Sequence, residues 1–121
     1  MIIVYGLKNC DTCRKTKKWL DKERINYLFK DFRNETPNKE RIKSWVLSLG
    51  MNEILNKRGM TWRNLKIHEK KNVSENDSLA LLTKYPTLIK RPIFEINGNI
   101  KVGFTYEVKK ALKDNKIDHK N

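Results

Sequence analysis

The chain carries the stretch Asn9-Cys10-Asp11-Thr12-Cys13-Arg14, which contains both of its cysteines. The residues before it, 2–5, are apolar and mostly β-branched, and they predict a buried strand. The residues after it repeat apolar side chains at helical spacing, and they predict a helix from about Asp11 to Arg24. A strand, a tight loop opened by Gly6 and a helix therefore place Cys10 at a helix N-terminus.

A helix N-terminus changes the chemistry of a cysteine. The first backbone N–H groups have no partner within the helix, and the helix dipole is positive at that end. A thiolate is an anion, so we expect the pKa of Cys10 to lie below that of an ordinary thiol. A Cys-x-x-Cys pair in a strand–helix–strand context is typical of a thioredoxin-like redox motif, which makes Cys10 and Cys13 a candidate redox site.

Two other interpretations of the cysteines stay open at this point. They could be half of a zinc site, but the only histidines are His68 and His119, and neither lies at ligand spacing from a partner. They could also be inert buried thiols, although the polar loop that holds Cys10 is a poor place for a core residue. The redox interpretation fits the motif better than either, and no metal is expected.

Length and composition limit the class of protein. A chain of 121 residues is one domain long, and 38% hydrophobic with 34% charged residues is typical of a soluble globular protein. No apolar run approaches the ~20 residues of a membrane span, and the apolar start reaches Lys8 too early for a secretory signal. We therefore expect a cytoplasmic protein whose thiols are kept reduced, so that any disulfide it forms is transient.

The chain is strongly basic, with a net charge of +13. Such a charge favours anionic ligands. However, the lysines are spread along every segment, and no helix-turn-helix, zinc-finger or RNA-binding motif is present. We expect a solvated basic surface and no direct sequence-specific nucleic-acid partner.

The order of the remaining elements follows from their patterns. Residues 27–32 predict a second strand, and a strand–helix–strand crossover of this length implies a parallel pair. Asn97-Gly98 lies between two β-rich runs and predicts a hairpin. Thr105 predicts the N-cap of a last helix. A βαβ unit and a ββα unit around one mixed four-stranded sheet make an α/β protein with a thioredoxin-like fold.

The thioredoxin-like parts are expected at about residues 1–35 and 86–114, with an all-helical insertion at about 36–85. Within the insertion, Thr36 is the predicted N-cap of the first helix, because Pro37 suits the first helical position. Residues 66–73 are polar and basic, and they predict an exposed connection.

In a thioredoxin-like fold the segment before the third strand comes close to the active thiol. Here that segment ends in Arg91-Pro92, and we expect a cis bond between the two residues. The guanidinium of Arg91 could then hold an anion beside Cys10, or it could be a solvated surface charge. The same two interpretations apply to Arg14 in the first helical turn, where a cation opposes the dipole.

Three short motifs together resemble those of the ArsC/Spx family: Lys8-Asn9-Cys10-Asp11-Thr12, Arg58-Gly59-Met60-Thr61-Trp62-Arg63 and Lys90-Arg91-Pro92-Ile93. The resemblance runs from residue 2 to about 113 and implies a single ArsC-like domain over residues 1–121. It is closest to the YffB-like branch. That branch implies a glutathione-dependent thiol reductase related to arsenate reductases, with glutathione as cosubstrate and no bound cofactor.

The resemblance carries residue roles with it. Cys10 matches the catalytic cysteine, and Arg91 matches the arginine before the cis-proline. The residues placed on the substrate side are Asn9, Arg14, Arg58 and Pro92. Arsenate reductases of the family use two further arginines, at positions where this chain has Asn56 and Gly103-Phe104. The resemblance therefore favours a thiol substrate over arsenate, and arsenate reduction is the third choice.

Cys13 supports a rival to the enzyme. A Cys-x-x-Cys pair resembles the redox switch of Spx, a regulator that binds RNA polymerase. Under that alternative, oxidation of Cys10 and Cys13 changes a binding surface and the partner is RNA polymerase. Under the favoured alternative, Cys10 is a nucleophile, and Cys13 or glutathione resolves its intermediate.

Overall fold

The computed structural model describes residues 1–71 and 75–120 of the chain. The chain divides into two compact units, one formed by Met1–Asn34 and Arg91–Asn121, the other by Glu35–Lys90. The elements, in chain order, are β1 (Ile2–Gly6), α1 (Asp11–Lys22), β2 (Leu28–Asp31), α2 (Lys39–Leu49), α3 (Met51–Ile54), α4 (Met60–Arg63), α5 (Ile67–Lys71), α6 (Glu75–Lys84), a 3₁₀ turn (Pro86–Leu88), β3 (Ile93–Ile96), β4 (Asn99–Val102) and α7 (Tyr106–Lys120).

The first unit is built on one mixed four-stranded sheet in the order β2-β1-β3-β4. β1 pairs with β2 in parallel, and it pairs with β3 in antiparallel. β3 and β4 form an antiparallel hairpin. The sheet order and strand directions confirm the α/β class and the thioredoxin-like fold.

Apolar side chains from the sheet and two helices form the core of this unit. Ile2 and Val4 of β1 lie in one cluster with Phe94 of β3, Leu20 of α1 and Leu112 of α7. Burial of such side chains is worth about 1.5–3 kcal/mol each, so this cluster holds α1 and α7 against the sheet. The position of Cys10 at the start of α1 depends on that packing.

The hairpin and the last helix follow the predicted local rules. Asn97 and Gly98 have φ values of +49° and +89°, the pair of left-handed residues that a tight two-residue hairpin turn needs. The hydroxyl of Thr105 accepts a hydrogen bond from Val108 N–H at 3.2 Å, so the predicted cap is confirmed.

The second unit is helical, and its first helix begins later than predicted. The prediction of Thr36 as N-cap is wrong, because α2 begins at Lys39 with Asn38 as its cap. The side-chain oxygen of Asn38 accepts from Arg41 N–H at 2.8 Å. Asparagine is at least as good a cap as threonine, and both were available in this stretch. Gly50 ends α2 with a φ of +90°.

Residues 66–73 are not simply an exposed connection, since α5 covers Ile67–Lys71. The missed signal is Glu69, whose carboxylate accepts from Lys66 N–H at 3.2 Å and so caps the first turn. The same carboxylate accepts from the Tyr85 hydroxyl at 3.4 Å and lies 3.8 Å from the Lys84 ammonium. These contacts with the end of α6 hold α5 in place. Residues 72–73 lie outside the described part.

No helix within residues 1–71 and 75–120 combines the length and the apolar character that crossing a bilayer requires.

The helical unit gives a direct test of core packing. Leu82 of α6 is fully buried, whereas 73% of Leu47 of α2 is exposed. We expect Leu82→Ala to lower the free energy of unfolding by about 2–5 kcal/mol, because it removes buried methyl groups and leaves a cavity. Leu47→Ala, the same change on the surface, should alter it by less than about 0.5 kcal/mol. Urea denaturation followed by circular dichroism measures both, and equal effects would contradict the described burial.

Candidate active site

The junction between β1 and α1 builds the site. β1 ends at Gly6 and α1 begins at Asp11, so Cys10 is the N-cap residue, with extended φ and ψ of −109° and 124°. Its carbonyl accepts the first bond of the helix from Arg14 N–H at 2.9 Å, and its own N–H donates to the Leu7 carbonyl at 3.3 Å. Cys10 is partly exposed, as the sequence predicted for a residue at the helix N-terminus.

Cys13 lies one turn further along α1 and is fully buried. It packs against the end of β1, where a Cβ on Gly6 would lie 2.5 Å from the Cys13 sulfur. A side chain at residue 6 would therefore force this thiol to move. The sequence indicated a tight loop at Gly6, but not the sulfur packed against it, because that contact depends on how α1 crosses the strand.

The environment of Cys10 favours the thiolate. Burial by itself would raise the pKa of Cys10, but the net effect is a pKa below the ordinary value, as the helix position predicted. The backbone N–H and the thiol of Cys13 act as donors beside the Cys10 sulfur and lower its pKa, although the Cys10 side chain makes no capping hydrogen bond to the helix. Arg91 adds a further hydrogen bond and its positive charge. Each of these interactions is stronger with an anionic sulfur than with a neutral one.

Cys13 has the opposite tendency. Burial raises the pKa of Cys13 to about 12, and the hydrogen bond and negative charge of Cys10 act in the same direction. The Leu7 N–H and the Arg91 charge oppose the rise without cancelling it. The pair therefore consists of one thiol with a lowered pKa and one thiol that stays protonated at neutral pH beside it.

Arg91 and Pro92 precede β3, and the bond between them is cis, as predicted. Pro92 is buried, and its carbonyl accepts from Gly103 N–H at 2.8 Å, which ties the start of β3 to the end of β4. Arg91 is partly buried and interacts with the Cys10 sulfur, so it is not simply a solvated charge. The tertiary structure thus brings together Cys10, Cys13 and Arg91 from two distant segments.

The other residues of the predicted site fall in different places. Arg14 forms an ion pair with the exposed carboxylate of Asp11 in the first turn of α1. Asn9 is exposed in the loop before Cys10. Arg58 belongs to the second unit, where it borders a polar cavity of about 380 Å³ with Lys57 and Lys90. The substrate-binding roles of these residues stay predictions.

The structure adds one residue that the sequence motifs did not indicate. Asp31, the last residue of β2, is buried, and its carboxylate accepts from Lys8 N–H at 2.8 Å and from Arg33 N–H at 2.7 Å. Burial would raise the pKa of Asp31, but these two N–H groups and the charges of Lys8 and Arg33 hold it below the ordinary value. Asp31 is therefore an anion at neutral pH, bound to the loop that precedes Cys10.

Among the residues that the structure describes, no group of three His, Cys, Asp or Glu side chains gathers into a metal site. Both cysteines are thiols rather than a disulfide. The site brings together a thiol with a lowered pKa, a protonated thiol and a guanidinium.

Comparison with solved structures matches the fold. The chain superposes on the YffB protein with a TM-score of 0.87 and 32% identity, covering 93% of this chain and 98% of the other. It superposes on an arsenate reductase related protein from Brucella melitensis with a TM-score of 0.74 and 32% identity, covering 91% and 92%. A family model described as the ArsC family matches residues 5–112.

Comparison with curated sequences finds regulators as well. The regulatory protein MgsR of Bacillus subtilis is 36% identical over 103 residues, which are 83% of this chain and 80% of MgsR. The global transcriptional regulator Spx 2 of Bacillus cereus is 31% identical over 110 residues, which are 88% of this chain and 82% of Spx 2.

The interaction of Arg91 with Cys10 can be tested through the reactivity of the thiol. We expect Arg91→Ala to raise the pKa of Cys10 and to slow its alkylation by iodoacetamide at pH 7 by roughly fivefold to tenfold, because an opposite charge is lost. Arg14→Ala is the matched control: Arg14 is paired with Asp11, so its removal should leave the rate nearly unchanged. A larger effect from Arg14→Ala would contradict the described geometry.

Proposed function

The chain belongs to the ArsC family, and on that premise we propose that it is a glutathione-dependent thiol–disulfide reductase whose nucleophile is the Cys10 thiolate. The proposal rests on the difference between the two thiols in exposure and in pKa. Cys10 is accessible with a lowered pKa, whereas Cys13 is buried with a pKa of about 12. A structural pair of cysteines has no need for this difference, but a nucleophile and its hydrogen-bond donor do.

The first step is an exchange between Cys10 and a mixed disulfide of glutathione with a substrate thiol. The Cys10 thiolate attacks the glutathione sulfur, a new S–S bond forms, and the old S–S bond breaks. The substrate leaves as a thiolate and takes a proton from water. The charge of Arg91 and the N–H of Cys13 stabilise Cys10 before the attack, and Arg91 also lies beside the negative charge that spreads over the three sulfurs.

The second step restores Cys10. A glutathione thiolate attacks the glutathione sulfur of the Cys10 intermediate, which releases oxidised glutathione and the Cys10 thiolate. One glutathione thiol is thereby oxidised for each mixed disulfide reduced, because the other half of the oxidised glutathione comes from the mixed disulfide. Cys13 is the other candidate for this step. Two of the causes that raise its pKa, the charge and the hydrogen bond of Cys10, disappear once Cys10 is in a disulfide, but burial remains. Glutathione is therefore the favoured resolving thiol.

Arsenate is the less favoured substrate. At the positions of two further arginines used by arsenate reductases, this chain has Asn56 and Gly103-Phe104. A charge-assisted hydrogen bond is worth about 1.5–3 kcal/mol, so the loss of two from a transition state lowers the rate by several powers of ten. In disulfide exchange the negative charge stays on sulfur atoms. Cys13 and Arg91 lie beside the Cys10 sulfur and stabilise negative charge there.

The test is turnover of a glutathione mixed disulfide. Wild-type protein with glutathione and a coupled glutathione reductase should reduce hydroxyethyl disulfide, which forms the mixed disulfide in the assay. Cys10→Ser should abolish turnover, and Arg91→Ala should lower kcat/KM about tenfold through the weaker nucleophile. Lys110→Ala, at an exposed position of α7, serves as the control with the same change of charge. Turnover that persists in Cys10→Ser would end the proposal.

The same preparation assayed with arsenate gives the contrast between substrates. We expect arsenate turnover to be absent, or several powers of ten slower than turnover of the mixed disulfide. The reason is that two arginines that would stabilise the arsenate transition state are missing. Efficient arsenate reduction would show that another basic group replaces them, and Arg58 is the arginine nearest in sequence to Asn56.

A second candidate function is regulation, and the relatives named as regulators favour it. The resemblance to Spx then implies that RNA polymerase is the partner and that a Cys10–Cys13 disulfide is the signal. Each of the two thiols affects the pKa of the other, so they are close enough for an oxidant to join them. Removal of two electrons and of the Cys13 proton would join the Cys10 thiolate and Cys13 by an S–S bond.

Binding to bacterial RNA polymerase before and after treatment with diamide tests this candidate. If regulation is the function, the wild type should bind the polymerase more tightly, by at least several-fold, in one redox state than in the other. Cys13→Ser, which cannot form the intramolecular disulfide, should not respond to diamide. The absence of binding in both states, measured by surface plasmon resonance, would eliminate this candidate and leave the reductase.

A further inference from the structure

We propose that Asp31 is a positioning residue, whose carboxylate fixes the peptide that holds the nucleophilic Cys10 at the start of α1. This inference rests on the proposed role of Cys10 as the reactive thiol. Asp31 lies 21 residues beyond Cys10 in sequence and on another element, and neither the motifs nor the resemblance assigns it a role.

Both oxygens of the Asp31 carboxylate accept hydrogen bonds. One oxygen accepts from Lys8 N–H at 2.8 Å and the other accepts from Arg33 N–H at 2.7 Å, while the residue is only 7% exposed. A buried carboxylate is costly unless both of its oxygens are bound. Two backbone N–H groups therefore stabilise the buried negative charge of Asp31 at the end of β2. The Arg33 N–H comes from just beyond that strand, and the Lys8 N–H comes from the loop before Cys10.

The contact with Lys8 reaches Cys10 through a single rigid group. The Lys8 N–H and the Leu7 carbonyl belong to the same peptide unit, which is planar. At one side this unit donates to Asp31, and at the other its carbonyl accepts the Cys10 N–H at 3.3 Å. Fixing the N–H therefore fixes the direction of the carbonyl, and with it the position of the Cys10 backbone.

The preceding peptide unit, Gly6–Leu7, is also held from the end of β2, and it lies beside the Cys13 thiol. The Gly6 carbonyl accepts from Phe32 N–H at 2.8 Å, and the Leu7 N–H of the same peptide unit acts on Cys13 as a donor that lowers the pKa of that thiol. Two successive peptide units of the loop are thus held by two successive residues, Asp31 and Phe32, at the end of β2. The Leu7–Lys8 unit contacts Cys10 and is held by a side chain, the carboxylate of Asp31. The Gly6–Leu7 unit lies beside Cys13 and is held by a backbone group, the Phe32 N–H.

The distinction between positioning and mere stabilisation lies in the reactivity of Cys10. If Asp31 only stabilises the fold, its replacement lowers the free energy of unfolding and leaves Cys10 unchanged in the molecules that remain folded. If it positions Cys10, its replacement lets the Leu7–Lys8 peptide turn. The Cys10 sulfur then loses alignment with the Cys13 N–H and with Arg91, which favour its anionic form.

The experiment compares Asp31→Asn with Asp114→Asn. The amide that Asp31→Asn introduces keeps the shape of the carboxylate but points a donor at a backbone N–H, so one of the two hydrogen bonds is lost. Asp114 is exposed on α7 and loses the same charge. We expect iodoacetamide to alkylate Cys10 about tenfold more slowly at pH 7 in Asp31→Asn, with a raised pKa for Cys10, and at the wild-type rate in Asp114→Asn.

A folded Asp31→Asn protein, checked by circular dichroism, whose Cys10 reacts within about twofold of the wild-type rate would overturn the proposal. Alkylation needs no substrate turnover, so this outcome is separate from a failure of the reductase assay. Should Asp31→Asn not fold, hydrogen exchange of the wild-type protein decides. The Lys8 amide should then be protected like the Phe32 amide, and exchange at the rate of an exposed loop would overturn the proposal.

Discussion

The position of the Cys10 sulfur beside the first backbone N–H groups of α1, that of Cys13 among them, is the constraint on which the site depends. It exists because Cys10 is the N-cap of α1 and Cys13 is the third residue of that helix, where backbone N–H groups have no helical acceptor. A neutral hydroxyl at an N-cap uses such a donor for stability alone. A thiol in the same place gains acidity from it, so the geometry that begins the helix also lowers the pKa of Cys10.

The second cysteine gives the site two thiols with opposite pKa shifts. Burial keeps Cys13 protonated, and its thiol then becomes a donor to Cys10 rather than a competitor for the negative charge. The same contact brings the two sulfurs close enough to form a disulfide when an oxidant is present. Under the two proposed functions, reduction of a substrate and sensing of an oxidant would use this one arrangement, and the relatives include an arsenate reductase related protein as well as regulators. The two proposals differ in the partner that reaches Cys10.

The loop between β1 and α1 is held from the neighbouring parallel strand. Gly6 pairs with Asp31 in the β1–β2 ladder, and just beyond that pair the strand end supplies the Asp31 carboxylate and the Phe32 N–H to two consecutive peptide units. The core cluster beneath, with Val4 and Leu20 among its members, fixes the strand and the helix between which this loop runs. Arg91 reaches Cys10 from the start of β3, on the other side of β1.

The sequence by itself determined the features that are decided within a few residues. These include Cys10 at a helix start, the hairpin at Asn97-Gly98 and the cap at Thr105, because each depends on local backbone preferences. The choice between Thr36 and Asn38 as the cap of α2 was not decided locally, since both are good caps, and α5 depends on contacts between Glu69 and the end of α6. The burial of Cys13 against Gly6 and the hydrogen bond from Lys8 N–H to Asp31 were decided only by the tertiary structure. The first depends on how α1 crosses β1. The second requires the register between β1 and β2, which brings residues 23 positions apart in the chain within hydrogen-bond distance.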